Sequence, residues 1–424
     1  MRKTALLLLF LLLCSFVLTS CGGNSGEETT KKKVAISQTP KETEAPEGSE
    51  GSKQQEDAIF AASYKVEKFE KPTDLRQTVV DAMRKMADME WVCTVEHTVK
   101  NKFDTWSIDY TFKKGQVYHG IPYANLGTNY DEFARLIVDG KWGYDGPEGW
   151  TEGIPGNQCT SSINQAVKTC CNVSIKETPG MIPGHSVFQS QKFSQVGDYE
   201  TTKDNTTTDI VKKNGPDKMY ECYAKMQKGD IIITSDITSH TRLVADVVVE
   251  RNPAGRINFN KSYVVTIEQT NTLESMKDPK FIAEHGYDST WWVDHHYTFS
   301  TLFDTAFVPF TLKAYDDEII EPYIALNTEI KPETLAKGTI SGTVSSNLII
   351  HHVLYQLLDK DGNVVSEVFS RTAQENKDAH VANNKYSSEE LFKNAVHGTN
   401  YKFRMTVGIG PGEKVMSEVD FTFN

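Results

Sequence analysis

The feature that most constrains the fold is a series of short apolar runs separated by turns in the second half of the chain. The apolar runs lie at 231–233, 243–249 and 263–269, and turn-forming segments lie at 228–230, 235–239 and 252–255. This pattern predicts a meander of antiparallel strands. Similar short runs at 297–299 and 308–310 predict two late strands of the same domain.

Helical patterns precede the meander. Asp74 and Gln77 form a helix N-cap pattern with a reciprocal partner, and the apolar residues after it repeat at helical spacing: Leu75, Val79, Met83 and Met86. The alternation at 91–95 and 106–110 predicts strands, and the polar stretch at 181–216 predicts surface loops. Together these patterns predict an α+β domain over residues 58–325, in which antiparallel strands pack on helices.

A second domain is predicted over residues 326–424. Strand-like runs lie at 339–344, 349–358, 401–407 and 419–423, separated by turns. About 95 residues of short strands suit an all-β sandwich. The segment 398–403, Gly-Thr-Asn-Tyr-Lys-Phe, resembles the tyrosine-corner segment of fibronectin type III and other Ig-like modules. Without a visible catalytic cluster, this module is expected to act in spacing or binding.

The N-terminus has the pattern of a targeting segment over residues 1–21. Arg2 and Lys3 precede an apolar run at 5–18, which is shorter than the roughly 20 residues that span a bilayer. The run ends in Leu-Thr-Ser-Cys at 18–21, which resembles the lipobox of bacterial lipoproteins. This resemblance implies lipid attachment at Cys21 and an extracytoplasmic protein anchored to the cell membrane. The alternative is an ordinary secretory signal cleaved nearby. Residues 22–57 are polar and predict a flexible tether.

The net charge and the cysteine content limit which partners, disulfides and metal sites can be expected. The formal net charge of −12 argues against nucleic acid, because neutralising phosphates needs clustered Lys and Arg. Five cysteines remain beyond residue 58, and an odd number outside the cytoplasm leaves at least one thiol unpaired or intermolecular: Cys93, Cys159, Cys170, Cys171 and Cys222. Their spacing matches no metal pattern, and the run 294–296, Asp-His-His, lacks a further ligand at suitable spacing. Neither a metal nor a cofactor is predicted.

Cys159 is the candidate nucleophile. It follows a loop rich in Gly and Pro and opens a run that is compatible with a helix. A cysteine on the first turn of a helix lies over unpaired backbone N–H groups and the positive end of the helix dipole. This setting favours the thiolate, which is the form that attacks a carbonyl carbon. The alternative is a buried helical cysteine or a disulfide partner.

A thiol hydrolase also needs a base and a group that orients the base. His240 follows a turn and begins a strand, and Glu268 lies on the next strand, so a hairpin can bring the carboxylate behind the imidazole. Gln269 and Asn271 are alternative orienting residues, and His240 as a surface turn residue is the alternative to a base. The oxyanion would be held by the backbone N–H of Cys159 and a neighbour such as the Gln158 side chain.

Several short motifs resemble those of CHAP-type amidohydrolases and the related NlpC/P60 group. The segment 156–160, Gly-Asn-Gln-Cys-Thr, is similar to the Gly-Gln-Cys-Thr motif of CHAP domains, with one residue inserted. Segments 228–232, 239–244 and 265–271 are similar to the Pro-Gly-Asp-Val, Gly-His-Val-Ala and Ile-x-Val-x-Glu-x-Asn motifs. The segment 120–123 resembles an NlpC/P60 motif.

The resemblance implies a papain-like fold and cleavage of amide bonds in peptidoglycan peptides. By this resemblance Cys159 is the nucleophile, His240 the base and Glu268 the orienting residue, and Tyr123 contacts the substrate. The leading hypothesis is a membrane-anchored cysteine hydrolase of the cell envelope. One alternative is a catalytically inactive surface lipoprotein that binds wall or host ligands. Another is a transglutaminase-like acyl transferase with the same order of Cys, His and acid. No oligomeric state is predicted.

Overall fold

A computed structural model describes residues 50–102, 107–146, 153–175, 191–202, 206–235, 239–372, 378–380 and 385–424. Its strands are β1 Lys65–Lys68, β2 Glu90–Cys93, β3 His97–Lys102, β4 Ser107–Phe112, β5 Val117–His119, β6 Lys141–Trp142, β7 Phe193–Gln195, β8 Ile231–Thr234, β9 His240–Val248, β10 Tyr263–Gln269, β11 Asp288–Ser289, β12 Trp291–Thr298, β13 Val308–Leu312, β14 Tyr323–Leu326, β15 Thr343–Ser346, β16 Ile350–Leu358, β17 Val364–Arg371, β18 Asp378–His380, β19 Asn400–Ile409 and β20 Gly412–Thr422.

Ten α-helices accompany these strands in the described ranges: α1 Glu50–Ala62, α2 Leu75–Ala87, α3 Tyr130–Leu136, α4 Cys159–Val167, α5 Thr207–Tyr223, α6 Glu274–Lys277, α7 Phe281–His285, α8 Phe299–Asp304, α9 Pro332–Leu335 and α10 Lys385–Phe392. The fold is therefore a mixed α/β fold with several antiparallel sheets and a β-rich C-terminal region. No helix in the described part of the chain is both long and apolar enough to span a membrane.

Helix α1 reaches into the predicted tether. Residues 50–57, assigned to the flexible segment from their lack of large apolar side chains, form the first part of this helix. Two Glu, two Gln and one Lys lie there, and these residue types have high intrinsic helix propensity even where no apolar face is present. The rest of the tether, the targeting segment and Cys21 lie outside the described residues.

The central sheet of the first lobe has six strands in the order β12-β10-β9-β8-β13-β7. Every neighbouring pair is antiparallel, so the predicted meander and both late strands are present in one sheet. The register of β10 shifts against both of its neighbours, between Val265 and Thr266 on one side and between Thr266 and Ile267 on the other. These irregularities re-aim the side chains that follow them.

Helices α2 and α4 pack on each other and against β9 and β10. The N-cap of α2 is as predicted, since the Asp74 carboxylate accepts a hydrogen bond from the Gln77 N–H at 3.0 Å. The Gln77 side chain donates to Asp81 instead of returning to the cap. The predicted apolar stripe of α2 is buried, at Leu75, Val79, Met83 and Met86.

The polarity of the segment 181–216 predicts surface loops, but the structure shows a strand and the start of a helix within it. Residues 193–195 form β7, and α5 begins at Thr207 with Thr206 as its cap. Gly215 has φ 73° and precedes Pro216, so the helix is kinked at this pair, which made the stretch look like a loop in the sequence. Residues 176–190 lie outside the described ranges.

Two hydrophobic cores divide residues 59–424, which form one compact unit, into two lobes. The first core extends from Leu75 to Leu312 and the second from Ile324 to Phe421. The second lobe contains the sheets β17-β16-β19-β20 and β1-β14-β15-β18, together with α9 and α10. The predicted first domain, residues 58–325, includes β1 and residues 323–325 of β14, whereas the structure pairs these strands within a sheet of the second lobe.

The tyrosine-corner segment lies at the start of β19. The Tyr401 hydroxyl accepts a hydrogen bond from the backbone N–H of Val396 at 3.0 Å, which fixes the chain just before the strand. The two lobes meet through ion pairs between Arg371 and Glu132 and between Arg135 and Glu413. The lobes are therefore joined by specific polar contacts as well as by the chain.

Candidate active site

Cys159 is the first residue of α4, at the position predicted from the preceding loop. The chain just before it is fixed by backbone pairing with the segment 122–124. The Asn157 N–H donates to the Pro122 carbonyl at 2.9 Å, and the Ala124 N–H donates to the Asn157 carbonyl at 3.0 Å. At Gly156 a Cβ atom would lie 2.5 Å from the Pro122 carbonyl oxygen, so only glycine allows this approach.

Side-chain capping then starts the helix. Gln158 has extended backbone angles, and its N–H donates to the Ser161 hydroxyl at 2.7 Å. Ser162 and Ile163 are fully buried and hold α4 against the sheet. The N–H groups of this first turn have no intrahelical partners, and they lie at the positive end of the helix dipole next to the Cys159 sulfur.

His240 and Glu268 meet Cys159 at this point, although they lie on different strands. His240 is the first residue of β9 and Glu268 lies near the end of β10. The Nε2 atom of His240 is 2.5 Å from Oε2 of Glu268, and the imidazole forms a hydrogen bond with the Cys159 thiol. Because Nε2 is taken by the carboxylate, Nδ1 is the ring nitrogen left for the sulfur. The structure thus brings the three predicted residues together in the order thiol, imidazole, carboxylate.

The electrostatics of this group favour the charged forms. Burial opposes thiolate formation, but the hydrogen bond and charge of His240 outweigh burial and lower the pKa of Cys159. Burial also opposes the imidazolium, yet hydrogen bonds to Cys159 and Glu268 raise the pKa of His240 to about 9. The arrangement therefore supports a thiolate–imidazolium pair at neutral pH. The backbone N–H of Thr241 adds a further hydrogen bond to the sulfur.

Arg242 and Tyr297 complete the surroundings of Glu268, and sequence reasoning did not identify either of them. The Arg242 Nε–H donates to Oε2 at 2.7 Å, and the Tyr297 hydroxyl donates to Oε1 at 2.6 Å. The Glu268 side chain is completely inaccessible to solvent. Burial works against its ionised form, but the charge of Arg242 and the hydrogen bond from His240 lower the pKa of Glu268 to about 2.

Tyr123 and Gln158, the predicted substrate contacts, flank the sulfur. Tyr123 is buried, and burial followed by the proximity of Cys159 raises the pKa of its hydroxyl well above the ordinary value. The Gln158 amide donates to Oδ1 of Asn125, a residue that the sequence analysis did not single out. An amide has two N–H donors, and the hydrogen bond to Asn125 uses one of them.

The two alternatives to Glu268 are engaged elsewhere. The Gln269 amide donates to the Ile121 carbonyl at 2.6 Å, and the Asn271 amide donates to the Ser107 carbonyl at 2.9 Å. Strand alternation places Gln269 on the opposite face of β10 from Glu268. Among these three residues, Glu268 is therefore the one whose side chain contacts His240.

In the described residues, the other cysteines form no disulfide, and the 294–296 run belongs to no group of metal ligands. All five cysteines of the described residues are free thiols, and Cys93, Cys170, Cys171 and Cys222 are buried. Asp294 binds Arg84 through both carboxylate oxygens. In the part of the chain that the structure describes, no three His, Cys, Asp or Glu side chains are grouped so as to hold a metal ion.

The chain was compared with known proteins at three levels. No protein-family model matches it, no curated protein matches it, and no solved structure matches it. The geometry of the site therefore carries the functional argument by itself. A thiolate beside an imidazolium at a helix N-terminus is equipped to attack a carbonyl carbon, and the N–H groups of that helix turn can stabilise the resulting oxyanion.

Proposed function

We propose that this protein is a cysteine hydrolase that cleaves amide bonds in peptidoglycan peptides, with a papain-like arrangement of its first lobe. In the proposal the protein lies outside the cytoplasm, anchored to the cell membrane by lipid at Cys21. The single observation that carries the proposal is the chain of contacts from the Cys159 thiol through His240 to Glu268, with a His240–Glu268 distance of 2.5 Å. Support for the papain-like arrangement comes from the packing of α4, which begins with Cys159, against the antiparallel strands β9 and β10.

The proposed reaction has two halves. The Cys159 thiolate attacks the amide carbonyl, and the N–H groups of the first turn of α4 stabilise the oxyanion together with the Gln158 amide. The His240 imidazolium then donates its proton to the leaving nitrogen, so that an amine departs and a thioester remains. In the second half, neutral His240 takes a proton from water and hydroxide adds to the thioester. The C–S bond then breaks, and the carboxylic acid is released as the Cys159 thiolate and the His240 imidazolium re-form.

The charge state of the site favours this reaction over the inactive-lipoprotein alternative. A binding protein has no need for a lowered thiol pKa, whereas a nucleophilic cysteine depends on one. The transglutaminase-like alternative forms the same thioester and differs only in the acceptor, which is an amine in place of water. An assay of both outcomes is therefore required.

Incubation of the purified protein with peptidoglycan fragments tests the proposal. We expect new primary amine ends that are absent with Cys159→Ala and unchanged with Cys93→Ala. Cys93 is a buried cysteine at the end of β2, and its thiol donates to the Val95 carbonyl. Binding of the fragments without new amine ends would support the inactive alternative. Covalently joined peptides without net hydrolysis, formed when an amine acceptor is added, would support the transferase.

A further inference from the structure

We propose that Arg242 is a positioning residue of this site, which fixes Glu268 as a carboxylate and sets how firmly His240 holds its proton. The inference rests on the proposed function, because it concerns the same thiol and imidazole. Arg242 does not need to touch the substrate in this role. It acts through Glu268, the group that orients His240.

The contacts of Arg242 and His240 converge on one atom. Both side chains bind Oε2 of Glu268, at 2.7 Å and 2.5 Å respectively. Arg242 lies two residues after His240 on β9, so both side chains extend from the same face of the strand. The carboxylate oxygen that orients His240 is thus shared with a permanent cation.

Two aromatic rings hold the guanidinium in place. Its central carbon lies 3.8 Å from the centre of the Tyr297 ring and 4.3 Å from the centre of the Phe307 ring. Tyr297 also donates to the other oxygen of Glu268, so the ring that stacks on Arg242 helps to fix the carboxylate. The side chain of Arg242 is only 13% exposed. A planar cation held between two rings keeps its direction, which an isolated surface arginine does not.

Charge balance shows what Arg242 contributes. In the reactive state the site holds two anions, on Cys159 and Glu268, and two cations, on His240 and Arg242, so the buried group is neutral. Without Arg242 it would carry one net negative charge, which is costly away from water. Among the described residues, the other titratable groups that face these four side chains are Tyr123 beside the sulfur and Tyr297 and His295 on β12. His295 in turn forms an ion pair with Glu274 on α6, at 3.3 Å.

The consequence for the proposed reaction concerns the second role of His240. An imidazole that holds its proton too firmly is a poor acid toward the leaving amine. A carboxylate that interacts with His240 alone would hold the imidazolium more strongly than one shared with a guanidinium. Removing the positive charge of Arg242 should raise the pKa of every neighbouring group, including Cys159, His240 and Glu268.

The test compares Arg242→Gln with Arg242→Lys. Two titrations are followed from pH 4 to 11: the rate of iodoacetamide alkylation at Cys159, read by peptide mass spectrometry, and the ring resonance of His240, assigned by its loss in His240→Gln. We expect both transitions of Arg242→Gln to move to higher pH, that of His240 by about 1 unit. Arg242→Lys keeps the charge and should restore both transitions. If Arg242→Gln does not fold, Arg242→Met takes its place, since its side chain fills the space between the rings without a charge.

Arg76 provides a matched control. It binds the buried Asp230 carboxylate at 2.6 Å and lies 4.5 Å from the centre of the Tyr315 ring, so it reproduces the chemistry of Arg242 in another part of the lobe. Arg76→Gln should leave both transitions in place. Suppose that Cys159 of the wild-type protein reacts well below pH 8, but that neither transition moves in folded Arg242→Gln. This result would overturn the role of Arg242 and leave the proposed function standing. An ordinary thiol profile in the wild-type protein would instead refute the thiolate–imidazolium pair on which the proposed function depends.

Discussion

Replacing Glu268 with Gln removes the anion behind His240 while keeping the size of the side chain. The carboxylate accepts hydrogen bonds from three side chains, and its loss leaves the cation of Arg242 next to the imidazole without a counter-charge. Both changes disfavour the imidazolium. We therefore expect the pKa of His240 to fall and the thiolate–imidazolium pair to give way to a neutral thiol and a neutral imidazole.

The size of the effect follows from the two anions that act on His240. Together Cys159 and Glu268 overcome burial and raise the pKa of His240 from 6.5 to about 9. Removing one anion at hydrogen-bond distance should lower it by at least about 1 unit, which corresponds to about 1.4 kcal/mol. The ratio of the ion pair to the neutral pair then falls about tenfold, and the alkylation rate of Cys159 near pH 7 falls with it.

The assay is the rate of iodoacetamide alkylation at Cys159 between pH 5 and 9, read at the peptide that contains it. Glu413→Gln is the matched control, because Glu413 is 2.8 Å from Nε2 of His352 and its loss breaks a similar bond in the second lobe. Circular dichroism must show that both variants fold. Superimposable alkylation profiles for folded Glu268→Gln and the wild-type protein would refute the assignment of Glu268 as the group that holds the imidazolium.

Two further predictions concern stability. Gly156→Ala should lower the free energy of unfolding by about 1–3 kcal/mol, because the added Cβ would lie 2.5 Å from the Pro122 carbonyl oxygen. Urea unfolding measures this free energy, and an unchanged midpoint would contradict the close approach of Gly156 to Pro122. Glu268 has a folded-state pKa of about 2 against an ordinary 4.5, so the stability it contributes is present above pH 4.5 and is lost as the pH falls toward 2. Between pH 5 and 2, urea unfolding should therefore show a smaller loss of unfolding free energy in Glu268→Gln than in the wild-type protein. Equal losses in the two proteins would contradict the lowered pKa of Glu268.

Local patterns in the sequence were sufficient for the central sheet apart from β7, and for the three side chains at its edge. Strand and turn periods predicted β8, β9 and β10, and a cysteine after a Gly- and Pro-rich loop predicted the start of α4. A hairpin between consecutive strands places residues at their ends side by side, so the proximity of His240 and Glu268 follows from local topology. The functional roles of these residues stay predictions until the site is assayed.

The features that the sequence did not predict depend mainly on contacts between residues that are far apart in the chain. Tyr297 on β12 lies opposite Val264, and its hydroxyl contacts Glu268 four residues further along β10, so no pattern within either strand marks the contact. Arg242 lies between Thr241 and Leu243, and its role depends on rings contributed by other elements. The kinked helix α5 was missed because its first part belongs to a polar stretch without an apolar repeat, and because Gly215 and Pro216 ordinarily end helices.

The pairing of β1 with β14 makes the first lobe an insertion between two neighbouring strands of the second. Lys68 lies opposite Tyr323, so both ends of the inserted lobe emerge from the same sheet. A protease that cuts one of the two connections would leave the lobes joined by the other. During synthesis β1 has no partner strand until the whole inserted lobe and then β14 have been made. The second lobe, whose first strand is made before the inserted lobe, is therefore the last to complete its sheets.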